Sequence, residues 1–366
     1  MNAPRPIIIA AGGTGGHFFP AEALAAVLME RGERVVLLTD ARSGGLNSPV
    51  FARTERHVIA GAGLAGRGVK RAGKGALALA RGVMQARGLL RRLNPKAIVA
   101  FGGYPSVPPV VAAAMMGKAR PFVVLHEQNA VLGRANRFLS YFADLLALNF
   151  ARTERLPVKI KTMAVGNPVR PAIADLYGQG YDPPVRSVEL LVVGGSLGAK
   201  VFSTLVPQAL ALLSEELRAC LHVTQQCRAD DIDTARETLR QAGIKAELSP
   251  FFSDMAGLLE RAHLVIARAG ASSVAEIAVA GRPVIFIPLP GAIDDHQRAN
   301  ADVLVQNGGA LRLDQTGLTP SILAEKIETL LMNPEHLRHM AAACASLGEP
   351  QAAAKLADEV LRGSGS

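Results

Sequence analysis

Short apolar runs alternate with longer amphipathic stretches along almost the whole chain. The short runs are typical of buried strands, whereas stretches such as residues 21–31 and 107–116 have the spacing of helices. In the first half, the predicted strands are residues 7–11, 34–39, 97–100, 122–125 and 145–148. This alternation predicts a parallel sheet with helices on both faces.

The alternation restarts in the second half of the chain. The predicted strands there are residues 189–193, 221–224, 264–267, 284–287 and 310–313. Residues 166–184, which are rich in Gly and Pro, favour an interdomain hinge. We therefore predict two doubly wound, Rossmann-like α/β domains facing a cleft, with bounds 1–167 and 168–346, and a last helix over 349–362.

Ligands of doubly wound sheets bind at the carboxyl ends of the strands, so the following loops are the candidate site. The loop at residues 12–17 is rich in glycine, which lets a ligand approach the backbone and the next helix N-terminus. Phe18 stands where a dinucleotide fingerprint would have its third glycine, which argues against a dinucleotide site. His17 at the loop mouth is a candidate base for a hydroxyl proton. The alternative is a capping or packing histidine.

Two further loops follow strands of the first half. Residues 101–106 read FGGYPS, with Ser106 as a predicted helix cap, and both a structural role and acceptor contact remain open. Residues 126–129 put four polar side chains in a row at a strand end. We expect His126 and Glu127 to belong to a buried polar network that braces the domain, and Asn129 to contact a ligand such as a sugar.

The loops of the second half favour an anion and a sugar. In Gly194-Gly195-Ser196-Leu197-Gly198-Ala199, the Ser196 hydroxyl can bind a phosphate beside a helix N-terminus. Glu276 lies about one and a half turns into the helix after residues 268–270. It could accept hydrogen bonds from a ribose diol or complement the helix dipole, and both interpretations stay open.

Another polar cluster occupies residues 294–301. Gln297 and Asn300 are three apart on one predicted helix face, and their neutral amides suit sugar hydroxyls. Asp294, Asp295 and His296 lack a second ligand cluster, so we predict a polar cap there rather than a metal site.

The composition narrows the range of expected binding partners. The net charge is +9 and the pI is about 9.8, which favours anionic partners. Residues 53–96 hold eleven Lys or Arg and one acid, with few aromatic side chains, which argues against single-stranded nucleic acid. Three cysteines without a zinc spacing indicate free thiols in a reducing compartment.

Residues 76–93 combine apolar and basic side chains. They predict an interfacial helix on an anionic membrane surface, and the alternative is an ordinary amphipathic helix packed on the sheet. No uncharged apolar run reaches the length that spans a bilayer. The side chains behind this prediction are Leu77, Leu79, Val83, Met84, Leu89, Leu90, Arg81, Arg87, Arg91 and Arg92, together with Arg67, Lys70, Arg71 and Lys74.

Seven motifs occur in a fixed order over both halves: AGGTGGHFFPAEALA, FGGYPS, HEQNAVLGRAN, VGNPVR, GGSLGA, RAGASSVAEI and DDHQRANA. Through these motifs and their order, the chain closely resembles the MurG family of UDP-N-acetylglucosamine:muramoyl-pentapeptide pyrophosphoryl-undecaprenol transferases. The resemblance covers essentially the whole sequence. It implies a GT-B fold with an N-terminal acceptor and membrane-association domain, a C-terminal UDP-GlcNAc domain, and a C-terminal helix (347–366) that packs back on the first domain.

The resemblance also implies a reaction and its setting. The expected reaction is an inverting transfer of N-acetylglucosamine from UDP-GlcNAc to the C4 hydroxyl of undecaprenyl-pyrophosphoryl-MurNAc-pentapeptide (lipid I to lipid II). It implies peptidoglycan biosynthesis on the cytoplasmic face of the inner (plasma) membrane, with a peripheral protein and no tightly bound metal. Expected partners are the two substrates, the anionic membrane surface and other proteins of cell-wall synthesis and cell division, but no nucleic acid.

Site residues follow from the same resemblance. His17 is the expected catalytic base. The donor UDP-GlcNAc is expected to contact Thr14, Gly15, Gly16, Asn129, Arg170, Ser196, Phe252, Ala271, Ser272, Ser273, Val274, Ala275, Glu276, Gln297 and Asn300. The acceptor is expected at Gly13, Tyr104, Pro105 and Ser106.

Other functions stay open at this point. A glycolipid glycosyltransferase or a UDP-sugar 2-epimerase could share the fold, although the loops show no set of acids for epimerisation at C2. A non-catalytic sugar-nucleotide-binding subunit would bind the donor without turnover.

Overall fold

The computed structural model describes residues 4–12, 15–40, 48–59, 69–195 and 198–365, without the side chains of residues 69–74 and 76. The chain divides into two compact units. Unit 1 comprises Met1–Arg170 and Gln351–Ser366, and unit 2 comprises Pro171–Pro350. Within the described ranges, none of the helices combines the length and the apolar character needed to cross a bilayer.

Each unit is built on one parallel sheet. The strands are β1 Ile7–Ala10, β2 Val35–Thr39, β3 Glu55–Val58, β4 Ala97–Ala100, β5 Phe122–Glu127, β6 Leu145–Leu148, β7 Lys161–Ala164, β8 Val188–Val193, β9 Leu221–Gln226, β10 Lys245–Ser249, β11 Leu264–Ala267, β12 Val284–Phe286 and β13 Ala310–Arg312. The helices are α1 Gly15–Glu30, α2 Val69–Leu93, α3 Val107–Ala114, α4 Arg134–Leu139, α5 Pro171–Ala174, α6 Lys200–Ala211, α7 Glu215–Cys220, α8 Ile232–Gln241, α9 Met255–Arg261, α10 Ala271–Ala280, α11 His296–Gln306, α12 Pro320–Leu331, α13 Pro334–Ala345 and α14 Ala352–Gly363.

The strands at the centre of unit 1 are apolar at every position because helices cover both faces of the sheet. Ile7 and Ile9 of β1 pack in one core cluster with Leu24 of α1. Ile8, which points to the other face, packs in a second cluster with Leu90 of α2. The predicted parallel sheet between two helical layers is confirmed.

Three strands have no counterpart among the predicted apolar runs. β3, β7 and β10 carry polar side chains that are mostly exposed. All three lie at a sheet edge. An edge strand is covered less than a central one, so it can form its backbone hydrogen bonds without an apolar sequence.

The strand order places the candidate loops next to one another. The seven-stranded sheet of unit 1 has the order β3-β2-β1-β4-β5-β6-β7, and the six-stranded sheet of unit 2 has the order β10-β9-β8-β11-β12-β13. The direction of winding reverses between β1 and β4 in unit 1 and between β8 and β11 in unit 2. Such switch points open a crevice at the carboxyl ends of the two strands.

Helix α14 joins the core of unit 1 although it ends the chain. Leu356 and Val360 are fully buried in the cluster that contains α1. Arg31 of α1 pairs with Asp358, with 2.6 Å between guanidinium nitrogen and carboxylate oxygen. Unit 1 is therefore built from both ends of the sequence.

Candidate functional site

In unit 1, three loops meet at the switch point because β1 lies beside β4 and β4 lies beside β5. His17 is the third residue of α1, in the helix that follows β1, and its side chain is half-buried. The neighbouring loop after β4 contains Gly102 and Gly103, with φ of 81° and 66°. This left-handed backbone favours glycine.

The His17 imidazole is held at one nitrogen. Its Nδ1 lies 2.8 Å from Gln128 Oε1. A Cβ built on Gly103 would lie 3.7 Å from His17 Nε2, so the glycine leaves room beside that atom. A half-buried imidazole with one nitrogen held and the other beside an open backbone can accept a proton from a bound hydroxyl.

The polar residues that end β5 form the bracing network expected from the sequence. His126 is fully buried and donates from Nε2 to the Gly166 carbonyl at 2.9 Å. The Glu127 carboxylate accepts from the Gly133 backbone and from the Asn136 amide, both at 2.9 Å. The prediction of a buried network for His126 and Glu127 is confirmed. Burial lowers the pKa of His126 to about 4, so the ring is neutral at neutral pH.

Asn129 is half-buried at the rim of this network. Its backbone N–H and its Nδ2 both donate to Glu127 Oε1 at 3.0 Å. The carboxylate thereby orients the Asn129 amide. The sugar contact predicted for Asn129 stays a prediction.

The loop after β4 is braced from within. Ser106 is fully buried, and its hydroxyl donates to the Gly102 carbonyl at 2.7 Å. Ser106 occupies the predicted cap position of α3, but its side chain makes no hydrogen bond to the helix N-terminus. Pro105 is also buried, so the side chains of Pro105 and Ser106 both support the loop. Tyr104 is half-buried as a residue, but its hydroxyl oxygen is buried and has no hydrogen-bond partner among the described residues.

Other unit 1 residues predicted to bind the donor lie around the start of α1. Gly15 is buried and Gly16 is exposed. The Arg170 guanidinium lies over the Phe19 ring, 5.3 Å from its centroid, a cation–π contact. Gly13 and Thr14 lie outside the described residues.

In unit 2, the two described ends of the loop after β8 lie close together. A Cβ on Gly194 would lie 2.3 Å from the Ala199 backbone nitrogen, so only glycine fits there. The Gly194 N–H donates to Gln226 Oε1 at 3.2 Å. Ser196 lies outside the described residues.

Helix α10 follows β11 and begins at the switch point of unit 2. Ser272, Ser273, Ala275 and Glu276 are half-buried. Val274, in contrast, has no exposed surface, and its N–H donates to the Gly270 carbonyl within the helix. The Val274 side chain therefore packs in the core, and Ala271 is buried as well. The donor contacts predicted for this helix stay predictions.

The two amides of α11 hold neighbouring loops. Gln297 Oε1 accepts from the Leu289 N–H at 2.9 Å. Asn300 is fully buried and donates from Nδ2 to the Ala269 carbonyl at 3.0 Å. Asn300 therefore braces the turn before α10. The sugar contacts predicted for Asn300 and for the half-buried Gln297 stay predictions.

Two other features of unit 2 concern the ends of helices. Asp295 occupies the cap position before α11, where the sequence predicted a polar cap, in a left-handed conformation without a side-chain cap hydrogen bond. Asp254 caps α9 by accepting from the Gly257 N–H at 2.9 Å. Phe252, predicted to contact the donor, is half-buried in the loop before this cap. Among the described residues, no group of three or more His, Cys, Asp or Glu could hold a metal ion.

Arg268 follows directly after β11, and no role was predicted for it from the sequence. It is buried, and its guanidinium donates to the carbonyls of Ile287 and Pro288 at 2.8 and 2.9 Å. The same group lies 4.8 Å from the centroid of the Phe202 ring. Burial lowers its pKa to about 10, so it stays charged at neutral pH. The signal in the sequence is an arginine directly after an apolar strand.

Two doubly wound α/β units, each with its polar loops at a switch point, are typical of proteins that bind nucleotides and their conjugates. Sequence profiles of glycosyltransferase family 28 match both units: the N-terminal domain over residues 7–147 and the C-terminal domain over residues 189–357. The chain belongs to glycosyltransferase family 28. The expected GT-B fold class is thereby confirmed.

Within that family, the relatives are MurG enzymes, as the motifs predicted. The chain is 58% identical to the UDP-N-acetylglucosamine--N-acetylmuramyl-(pentapeptide) pyrophosphoryl-undecaprenol N-acetylglucosamine transferase of Granulibacter bethesdensis, over 98% of this chain and 94% of the relative. It is 57% identical to the transferase of the same name from Acidiphilium cryptum, over 98% and 96%. The crystal structure of Acinetobacter baumannii MurG matches with a TM-score of 0.78 at 30% identity, covering 98% of this chain and all of that one.

Proposed function

We propose that this enzyme transfers N-acetylglucosamine from UDP-GlcNAc to the C4 hydroxyl of undecaprenyl-pyrophosphoryl-MurNAc-pentapeptide, converting lipid I to lipid II in peptidoglycan synthesis. One observation carries this proposal: near-full-length identity of 57–58% with relatives named for that transfer. We assign the acceptor to unit 1 and UDP-GlcNAc to unit 2.

The reaction is a single inverting displacement. The acceptor oxygen attacks C1 of the donor sugar while the bond from C1 to the β-phosphate oxygen breaks, and UDP leaves with the electron pair. His17 takes the proton from the attacking hydroxyl at Nε2. The support is geometric: Nδ1 is engaged by Gln128, and a Cβ on Gly103 would lie 3.7 Å from Nε2, so the loop leaves that atom accessible.

Negative charge builds up on the diphosphate as the bond breaks, so groups that bind it more tightly in the transition state lower the barrier. We assign this role to Ser196, to the N-termini of the helices after β8 and β11, and to the Arg170 guanidinium. The buried Arg268 charge adds a positive field at the end of β11. We expect transfer to persist in EDTA, since these groups are cationic or dipolar and no tightly bound metal is part of the proposal.

The test is transfer of radiolabelled sugar to a short-chain lipid-linked muramoyl-pentapeptide, with UDP-GlcNAc, UDP-glucose and UDP-galactose as parallel donors. Label that enters the disaccharide lipid only from UDP-GlcNAc supports the proposal. Donor binding without transfer would refute it. Formation of the 2-epimer of UDP-GlcNAc would then identify an epimerase, and its absence a binding subunit.

The base is tested by His17→Ala. We expect kcat to fall on the order of 10²–10⁴-fold, with KM for UDP-GlcNAc nearly unchanged, because a general base acts on the chemical step. A loss below tenfold in a correctly folded variant would assign the proton to another group.

We also propose that α2 contacts an anionic membrane surface. Its inner face packs on the sheet through Val83, Ala86 and Leu90. Its outer face carries Leu77 and Met84, which are 54% and 57% exposed. Arginines flank these apolar side chains on the same helical face: Arg81, Arg91 and Arg92 are exposed.

The neighbouring helices extend this apolar and basic surface. Helix α3 packs against α2 and contacts α4. At the end of α4, Phe138 is 50% exposed, and the following Tyr141 is 81% exposed. Exposed aromatic and aliphatic side chains interleaved with arginine are typical of a peripheral interfacial surface. The proposal puts the enzyme at the cytoplasmic face of the inner membrane, where other cell-wall proteins would be its neighbours.

The membrane proposal is tested with vesicles. Burying Leu77 and Met84 contributes about 1.5–3 kcal/mol each, so the pair Leu77→Ser and Met84→Ser should weaken binding to anionic vesicles at least tenfold. Met332→Ser is the matched control, because Met332 of unit 2 is 69% exposed and lies outside the proposed surface. Binding should also fall with salt, and equal binding to neutral vesicles would contradict the electrostatic part.

A further inference from the structure

Gln128 is a buried amide that joins His17 to the interior of unit 1. It is 2% exposed and follows directly after β5. Its Oε1 lies 2.8 Å from His17 Nδ1, and its Nε2 faces the Phe101 carbonyl and the His126 ring. The inference drawn from these contacts rests on the proposed role of His17 as the base.

The orientation of the amide is fixed by two acceptors on its nitrogen side. Gln128 Nε2 donates to the Phe101 carbonyl at 3.0 Å and lies 3.3 Å from His126 Nδ1. If the amide were reversed, Oε1 would face the Phe101 carbonyl oxygen, and two acceptors would meet without a proton between them. The oxygen therefore points to His17.

His126 completes the chain of hydrogen bonds. Its Nε2 lies 2.9 Å from the Gly166 carbonyl, which can only accept, so the proton of the neutral ring is on Nε2. Its Nδ1 is then an acceptor for the Gln128 amide. Full burial disfavours a second proton on this ring, as the lowered pKa of His126 reflects.

A carboxamide oxygen only accepts hydrogen bonds, so the His17 nitrogen that faces it must carry the proton. We propose that Gln128 is a positioning residue that holds His17 in the Nδ1–H tautomer and thereby turns the Nε2 lone pair toward the acceptor hydroxyl beside Gly103. When the hydroxyl proton moves to Nε2, the imidazolium keeps its Nδ1–H bond to Gln128. The amide takes up no proton, and the imidazolium releases one to solvent after UDP departs.

The tautomer is read directly by nitrogen NMR on the full chain labelled with ¹⁵N-histidine, with His17 signals assigned by their loss in His17→Gln. We expect a protonated Nδ1 and an unprotonated Nε2 at neutral pH. A His17 ring protonated at Nε2 would overturn the proposal. This measurement does not depend on catalysis, so its result stands even if the protein shows no transfer activity.

Kinetics test whether Gln128 acts through His17. Gln128→Leu removes the acceptor, and we expect kcat to fall on the order of 10²-fold with KM for UDP-GlcNAc within about twofold. Loss of the tautomer-fixing carboxylate of a serine-protease triad costs ~10⁴-fold, and a neutral amide should contribute less. The double variant Gln128→Leu with His17→Ala should be no slower than His17→Ala alone. Losses that multiply in the double variant would refute the positioning role.

Unit 2 offers a matched control in Gln225. It is also fully buried at the end of a strand, and its Nε2 donates to a phenylalanine carbonyl, that of Phe202, at 3.0 Å. Its Oε1 has no hydrogen-bond partner among the described residues. Gln225→Leu should therefore lower the stability about as much as Gln128→Leu does, but kcat should stay within about threefold of the wild-type value. An equal loss of kcat in both variants would reduce Gln128 to a structural brace.

Discussion

The loop between β8 and α6 gives the sharpest test of the donor site, through the substitution Gly194→Ala. The added Cβ would lie 2.3 Å from the Ala199 nitrogen and 2.9 Å from the Gly198 carbonyl carbon. Both atoms belong to the backbone, so no side-chain rotation relieves the contact. An ordinary contact needs about 3.4 Å or more, and the loop must therefore move by about 1 Å.

That movement has two expected costs. Overpacking costs about 1–3 kcal/mol of stability. A misplacement of ~1 Å in a group that positions substrate costs on the order of 10²-fold in rate. If the loop binds the donor diphosphate, kcat/KM for UDP-GlcNAc should fall by about that factor, with weaker binding of UDP.

The assay compares Gly194→Ala with Gly178→Ala by transfer kinetics, UDP calorimetry and urea unfolding. Gly178 also lies in unit 2, has φ of 80° and has open space around the added Cβ. Left-handed strain should cost this control variant about 1–2 kcal/mol of stability and little activity. A Gly194→Ala enzyme with wild-type kcat/KM and UDP affinity would refute the diphosphate role of the loop.

Three further predictions concern single side chains. Glu276→Gln should raise KM for UDP-GlcNAc about tenfold or more in steady-state kinetics, because hydrogen bonds to a charged group contribute about 1.5–3 kcal/mol; an unchanged KM would contradict ribose binding. The His126 pKa, about 4 in the folded chain against 6.5 ordinarily, means that the unfolded chain binds more protons below neutral pH. In urea unfolding, the free energy of unfolding of unit 1 should therefore fall by about 2 kcal/mol between pH 7.5 and 5. The decrease should be smaller in His126→Gln. In the native protein, an aromatic disulfide reagent should modify Cys220 alone, because Cys227 and Cys344 are buried. Burial also raises the pKa of both buried thiols, that of Cys344 to about 12. Three reactive thiols without denaturant would contradict this prediction.

The central part of each sheet could be predicted from the sequence because burial on both faces requires an unbroken apolar run. Strands β1, β4 and β11 are apolar at every position and were predicted within one residue. The edge strands β3 and β10 could not be predicted in this way, because their exposed side chains leave no hydrophobic period.

The positions of the site loops were predictable, but the partners of individual side chains were not. Loops at strand ends follow from the doubly wound pattern, and His17 lies at such a loop. Its contact with Gln128 joins residues 111 apart in the sequence, and it depends on the adjacency of β1, β4 and β5. Asn300 and Gln297 lie on the same helix, and only the tertiary structure shows that the buried Asn300 amide donates to the Ala269 carbonyl.

The two-part composition of unit 1 has a consequence for synthesis on the ribosome. The first 170 residues are synthesised early, but their core lacks Leu356, Ala357 and Val360 until α14 has been made. All residues of unit 2 are synthesised before α14, so unit 2 needs no later part of the chain for its fold, whereas unit 1 is incomplete without α14. A chain released before α14 would expose the apolar face of α1, a ready target for chaperones and proteases. The part of the protein that is made first is thus the last to become finished.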